Sequence, residues 1–452
     1  MNDLKNESLC ALAMSEGRNW MPFTANRLVN GRGDHRVVAS AKGPYYTMAD
    51  GRTVFDTLSG LWCTPLGHGH PRIVEALRQQ AETLDFAPGF QMTHAPAVTL
   101  AARIAKMAPD GLEHVFFANS GSEAVDTALK IAIGFHKLRG EGGRFRLIGR
   151  ERGYHGVGFG GMSVGGIVSN RKMFATVMMP GVDHLRHPYD YAHIAFSKGQ
   201  PEWGACLADD LERLVALHDA STIAAVIVEP VQGSTGVLVP PIGYLQKLRE
   251  ICTKHGILLI FDEVITGFGR MGENFASQRF GVTPDMITFA KAVTNGIVPM
   301  GGVIVTSEIY KTFMSGPESA IEFAHGYTYS GHPLAAAVAH TVLDIMEEED
   351  TNARVRALEP VLEEAVHALR DLRSLKDLRN IGLTAAIELA PLAEKSALRS
   401  VQLFEYGLQE GVLLRVTGDT ISFGPPFIST PDQIREMIHK VRNVLLRCEE
   451  EF

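Results

Sequence analysis

Two charged residues, Asp262 and Lys291, each follow a short apolar run: Ile257-Leu258-Leu259-Ile260-Phe261 before the first, Ile287-Thr288-Phe289-Ala290 before the second. A lysine amine condenses with an aldehyde to form a Schiff base, and a carboxylate holds a pyridinium nitrogen protonated. Together they make the protein half of a site for pyridoxal 5'-phosphate. Read alone, the pair is better taken as a helix-capping aspartate and a solvated loop lysine, because charged residues after strands are common. Position argues for the first use. Short continuous apolar runs read as buried strands of a parallel sheet, and open α/β sheets bind ligands at the carboxyl ends of such strands.

Three further stretches fall after apolar runs. Ser120-Gly121-Ser122-Glu123 has capping-box spacing and opens a helix, where free amides and a glycine suit a phosphate; an ordinary capped helix is the plainer reading. No Gly-Lys-Ser/Thr follows, so it is not a P-loop and a nucleotide-hydrolysing enzyme is disfavoured. In Gly153-Tyr154-His155-Gly156 an aromatic flanked by glycines fits a planar ring, or a Tyr–His pair buried in a turn. Glu229-Pro230-Val231-Gln232-Gly233-Ser234 places another carboxylate at the sheet's edge, either beneath a site or in contact with its ligand.

The elements that must carry these residues alternate. Strands are expected at 115–118, 146–148, 224–228, 257–261, 287–290 and 302–305, with helices at 71–81, 95–107, from Ser120 through Lys137, and 243–255. That is a doubly wound α/β pattern with a mostly parallel sheet. Tyr45–Val54 around Ala49-Asp50-Gly51 reads as a hairpin. After Pro333 the pattern becomes helices at 334–349 and 355–372, short strands at 383–389 and 411–415, and a closing helix at 431–446. The Gly/Ser-rich stretch Gly156–Gly166 and the stretch Gly181–Phe196 read as long loops. The division expected is an N-terminal arm and part of a small domain at 1–65, a large domain at 66–332, and a C-terminal small domain at 333–452, the arm beginning with a polar helix.

Composition narrows the function classes. The chain has 452 residues, more than one core usually holds, with 45% apolar and 21% charged residues and a net charge of −8. An acidic balance gives no basic surface for nucleic acid or an anionic membrane. Cys10, Cys63, Cys206, Cys252 and Cys448 have neither metal spacing nor disulfide density and read as reduced thiols. With no signal-like segment and no run of membrane-spanning length, a cytoplasmic protein is expected.

Taken in order, Asn119-Ser-Gly-Ser-Glu-Ala124, Tyr154-His-Gly156, Glu229-Pro-Val-Gln-Gly233, Asp262-Glu-Val-Ile-Thr-Gly-Phe-Gly-Arg270, Lys291 and Thr328-Tyr-Ser-Gly-His-Pro333 resemble the class III aminotransferases across nearly the whole chain. Trp20-Met-Pro-Phe-Thr24, Leu61-Trp62-Cys63 and Arg415-Val-Thr-Gly-Asp-Thr420 are most similar to the ω-amino acid (β-alanine):pyruvate subgroup. The resemblance implies the fold type I of pyridoxal-phosphate enzymes. It implies that Lys291 carries the cofactor as a Schiff base and shuttles the proton, and that Asp262 pairs with the ring nitrogen. Ser120, Gly121 and Ser122 would hold the phosphate, with Tyr154 and Val264 on the two ring faces and His155 and Glu229 nearby. Thr328 would reach the phosphate of a partner subunit, so a homodimer or dimer of dimers is expected. Arg415 would bind a substrate carboxylate, and Phe23, Trp62, Phe90 and Tyr154 would line the substrate pocket. GABA-type relatives carry glutamate where Ser234 stands and glutamine where Ile265 stands, which turns the expectation toward pyruvate. The alternatives kept are a GABA, ornithine, diamine or taurine aminotransferase, an aminomutase of the same fold, and a silent binding protein.

Overall fold

The computed structural model describes residues 16–29, 36–392 and 395–451. The helical arm expected at the N-terminus falls mainly on residues outside these. Three sheets organise the described residues. The first carries β1 (Val38–Lys42), β2 (Tyr45–Met48) and β3 (Thr53–Asp56), the hairpin turning where the sequence placed it.

The second and largest sheet carries β4 (Leu112–Ala118), β5 (Arg146–Arg150), β6 (Val182–Leu185), β7 (Ile223–Val228), β8 (Leu258–Asp262), β9 (Met286–Ala290) and β10 (Gly301–Thr306). Their spatial order is β4-β10-β9-β8-β7-β5-β6. All run parallel except β10, which pairs antiparallel with both β4 and β9. Every residue of β7, β8 and β9 is buried, which is why these strands read as unbroken apolar runs rather than alternating ones. The helix Gly121–Leu138 packs Val125, Leu129 and Ala132 against this sheet.

The third sheet carries β11 (Leu375–Ile381), β12 (Thr384–Leu389), β14 (Arg415–Thr417) and β15 (Thr420–Phe423), in the order β11-β12-β15-β14. Between them β13 (Val412–Leu413) leaves to pair parallel with β3, so the expected strand at 411–415 is split between two sheets. This pairing also ties the C-terminal part of the chain to the N-terminal sheet.

Two stretches expected as loops contain regular structure. Gly156–Gly166 includes the helix Phe159–Val164, whose last turn is closed by Arg171 donating to the carbonyls of Met162, Ser163 and Gly165. Gly181–Phe196 includes β6, held by parallel pairing with β5, and the short helix Tyr191–Ile194. No helix among the described residues is long and apolar enough to cross a membrane.

Candidate active site

β8 and β9 lie side by side, with Asp262 opposite Thr288, so Asp262 and Lys291 leave adjacent strand ends. Ala290 is still extended and Lys291 turns to φ 52 at the head of a single 3₁₀ turn, Lys291–Thr294. A left-handed lysine costs of the order of 1–3 kcal/mol and is the kind of strain that clusters at functional sites. It swings the lysine side chain off the strand line into a cavity of about 120 Å³ that Asp262 also lines.

The cavity holds most of the predicted cofactor set. Gly121, Ser122, Tyr154, His155, Glu229, Val264, Asp262 and Lys291 line it, together with Gly156 and Ile265. Ser120 stands just outside as the N-cap, its hydroxyl accepting from the amide of Glu123 at 3.2 Å. The Glu123 carboxylate returns to the amide of Asn119, one residue earlier than a reciprocal capping box uses. Among the described residues no protein acceptor meets the amides of Gly121 and Ser122. A side chain at Gly121 would meet Val264 Cγ1 at 2.8 Å, so only glycine lets that helix start approach the strand end. Two unclaimed amides at a helix N-terminus fit a phosphate.

Asp262 is 4% exposed and held by three groups. His155 Nδ1 stands 2.7 Å from Oδ2, while Oδ1 accepts from the Thr288 hydroxyl at 3.1 Å and the Val264 amide at 3.2 Å. A carboxylate only accepts, so Nδ1 of His155 carries the hydrogen, and the lone pairs left over can still accept from one more donor in the cavity. His155 Nε2 is buried and has no hydrogen-bond partner among the described residues. Thr288 gave no signal in the sequence, since a threonine within a strand reads as an ordinary strand residue.

Glu229 follows β7 and accepts from the amides of Tyr154 at 2.9 Å and Gly233 at 3.0 Å, which pins the Tyr154 turn and the following loop to one carboxylate. Burial pushes it up to about 7, against the pull of His155. Burial also raises the Tyr154 hydroxyl, as does Asp262, while the charge of Arg415 opposes that rise. Burial holds the Lys291 amine below the ordinary lysine range, with Cys63, Asp262 and Glu229 pulling the other way. Cys63 thus stands within electrostatic reach of Lys291, though the sequence marked it only as part of a motif.

Of the predicted substrate residues only Tyr154 lines the cavity; Phe23, Trp62, Phe90 and Arg415 do not. Arg415 is exposed at the start of β14, and Thr328 is exposed in the turn before the helix Pro333–Glu348. Phe23 is 66% and Phe90 57% exposed, on segments far apart in the chain. Trp62 is buried. It ends a turn, Ser59–Trp62, whose residues all have φ between 47° and 70°, a left-handed helical turn that L-residues rarely adopt. Ser59 Oγ donates to the carbonyl of Gly424 at 2.7 Å, and the Trp62 ring lies against Gly424 with the Arg270 guanidinium 5.7 Å from its centre.

Comparison with known proteins agrees with this geometry. Residues 29–445 match the model of the family Aminotransferase class-III. The chain is 54% identical over 426 residues to an omega-aminotransferase of Caulobacter vibrioides, covering 94% of this chain and 96% of that one. It is 48% identical over 433 residues to a beta-alanine–pyruvate aminotransferase of Pseudomonas aeruginosa, covering 94% and 95%. Among solved structures, a thermostable (S)-enantioselective omega-transaminase from Thermomicrobium roseum superposes with a TM-score of 0.90 at 34% identity, over 98% of each chain.

Proposed function

The chain belongs to the class III aminotransferases, which depend on pyridoxal 5'-phosphate, and we propose that it moves an amino group from an ω-amino acid or amine to pyruvate. The observation that carries this reading is the convergence of Asp262, with its three hydrogen-bond partners, and Lys291 from adjacent strand ends on one cavity. The similarity to relatives named for β-alanine and pyruvate supports the choice of substrates, as do Ser234 and Ile265 at the positions where GABA-type members differ.

When bound, the cofactor supplies an aldehyde that condenses with amines and a ring that takes up the electron pair of a broken C–H bond. The chain's residues do the rest. Lys291 would hold the aldehyde and, once freed, would take the proton from the substrate carbon and return it, burial lowering its hold on a proton of its own. Asp262 would pair with the ring nitrogen, and His155 and Thr288 fix the carboxylate's orientation. Gly121 and Ser122 would receive the phosphate, with Ser120 capping their helix, and Tyr154 and Val264 would flank the ring. Glu229 keeps the Tyr154 turn in place. Arg415 receives a substrate carboxylate as a two-pronged donor. Phe23, Trp62 and Phe90 shape the apolar part of the pocket. Thr328 completes the site of a second copy, so the working unit is a homodimer or a larger even assembly of the cytoplasm, with 66–332 as the cofactor domain between the arm at 1–65 and the small domain at 333–452.

One half-reaction tests the proposal. Protein loaded with pyridoxamine phosphate is given pyruvate or 2-oxoglutarate separately, and the visible absorbance of the aldehyde form is followed. Rapid return with pyruvate is expected. Rapid return with 2-oxoglutarate alone would move the chain to the GABA or ornithine group.

A further inference from the structure

One buried guanidinium ties together three segments that the sequence keeps apart. Arg379 on β11 is 3% exposed. Its Nη1 lies 2.6 Å from Asp377 Oδ2 and 2.8 Å from Glu388 Oε2 on the neighbouring strand β12. Its Nε donates to the carbonyl of Gly236 at 2.6 Å. Asp377 also accepts from the Tyr189 hydroxyl at 3.1 Å and from the amide of Phe196, so the end of the 181–196 stretch is fastened to the same group. Lys376 balances the second acid, 2.8 Å from Glu388 Oε1. Two cations, Arg379 and Lys376, thus face two carboxylates, while Arg379 Nη2 has no hydrogen-bond partner among the described residues and Arg152 adds a third cation nearby.

This knot lies between the Glu229 loop and Arg415. Gly236 ends the turn that starts at Gly233, whose amide is held by Glu229. Gly236 sits at φ +103, and a Cβ there would stand 2.5 Å from Thr420 Cγ2. Thr420 pairs with Glu388 on one side and with Thr417 on the other, and β14 begins at Arg415. The path from the Glu229 carboxylate to the Arg415 strand therefore runs through one turn and one buried cation. Apolar packing of equal area would hold these parts together but let them slide. Directional charged hydrogen bonds fix their register. Two-pronged binding of a carboxylate tolerates errors of only about 0.5 Å.

We infer that Arg379 is a positioning residue for substrate carboxylates: it sets the reach of Arg415 by locking β14 and β15 to the Glu229–Gly236 turn. The inference rests on the function proposed above, in which Arg415 receives that carboxylate.

The test uses the holoenzyme and Arg379→Lys. Lysine keeps a cation between Asp377 and Glu388 but has a single donor head, so the bond to Gly236 is lost. Donor half-reactions are measured with β-alanine and with n-propylamine, which has a methyl where β-alanine has its carboxylate. The expected result is an increase of about tenfold in the β-alanine concentration needed for half-maximal rate. The propylamine half-reaction and the bound-cofactor absorbance stay as in wild type. Gly236→Ala should give the same selective loss by pushing the turn off Thr420, and Thr420→Ser in that background should restore part of it. Equal losses for both donors, or no loss for either, would overturn the inference; if Arg379→Lys fails to load cofactor, the Gly236→Ala pair decides by the same criterion. Failure of the proposed function is read separately, from wild-type protein that transfers no amino group to pyruvate.

Discussion

Asp262 and Arg415 are both charged residues on strands, and their surroundings could hardly differ more. Asp262 ends a strand in the middle of a seven-stranded sheet, is 4% exposed and meets three hydrogen-bond partners. Arg415 begins a three-residue strand at the edge of a four-stranded sheet and is exposed. The first is held by three partners before any ligand arrives, with only its cavity side left open. The second has room to swing. A group that must keep one orientation toward a ring gains from pre-organisation. A group that must meet carboxylates of different reach gains from a side chain free to turn on a strand that stays in place. The floor of the site and its rim therefore make different demands on sequence, and perturbation should separate them.

The floor should break hardest. Lys291→Ala removes both the covalent attachment and the proton carrier, and turnover is expected to fall by on the order of 10⁴-fold or more. Loss of the visible absorbance of bound aldehyde cofactor checks that the missing amine is the cause. The same amine sets the pH dependence. Burial lowers its pKa, so the neutral, proton-accepting form persists to lower pH than in an ordinary lysine. The rate of proton removal should rise with pH along a limb whose midpoint lies below the roughly 10.4 of free lysine. A single-turnover pH profile with its midpoint at or above that value would contradict the burial reading.

Asp262→Asn comes next. Asparagine keeps the shape and can still accept from Thr288 or Val264, but it carries no charge to pair with a protonated ring nitrogen. A fall in kcat on the order of 10²-fold to 10³-fold is expected, with cofactor retained. If the loss appeared in KM alone, Asp262 would belong with the rim.

Much of the floor was legible because its residues lie in contiguous runs at strand ends, where the physics of a buried parallel sheet gives long apolar stretches that stop at a charge. Its supporting residues were not. Thr288 is one more strand residue until the fold sets it opposite Asp262. β11 escaped for a related reason: Asp377 and Arg379 interrupt its apolar pattern, and their pairing with each other and with groups on other segments makes their burial tolerable. β6 escaped because a half-buried edge strand shows little periodicity, and the Phe159–Val164 helix because glycines within it mimic a loop. The rim residues Phe23, Phe90 and Arg415 were named only by resemblance, since they come from distant parts of the chain, no local pattern links them, and none of them lines the cavity.

For the rim the expected effects are smaller and fall on binding. Arg415→Ala should raise KM for β-alanine and pyruvate by about tenfold to a hundredfold, the range for losing hydrogen bonds to a charged group, and spare amines without a carboxylate. A matching loss of kcat with those amines would mean that Arg415 also holds Tyr154, whose hydroxyl it influences.

Phe90→Ala should give the smallest change. The ring is 57% exposed and lies close to Gly326, where a Cβ would approach it to 3.0 Å. Truncating an exposed side chain away from a core usually alters stability by no more than about 0.5 kcal/mol. Its contribution to a bound amine is that of one apolar wall, so a shift of a few-fold to about tenfold in the relative kcat/KM of a bulky and a small donor is expected, with kcat for β-alanine nearly unchanged. Competition between the two donors in one reaction reads that ratio directly. Gly326 lies two residues before Thr328, the residue assigned to the second copy's phosphate. If Phe90→Ala weakened cofactor retention as well, the ring would be bracing that turn, and the separation of rim from floor would fail at the subunit boundary.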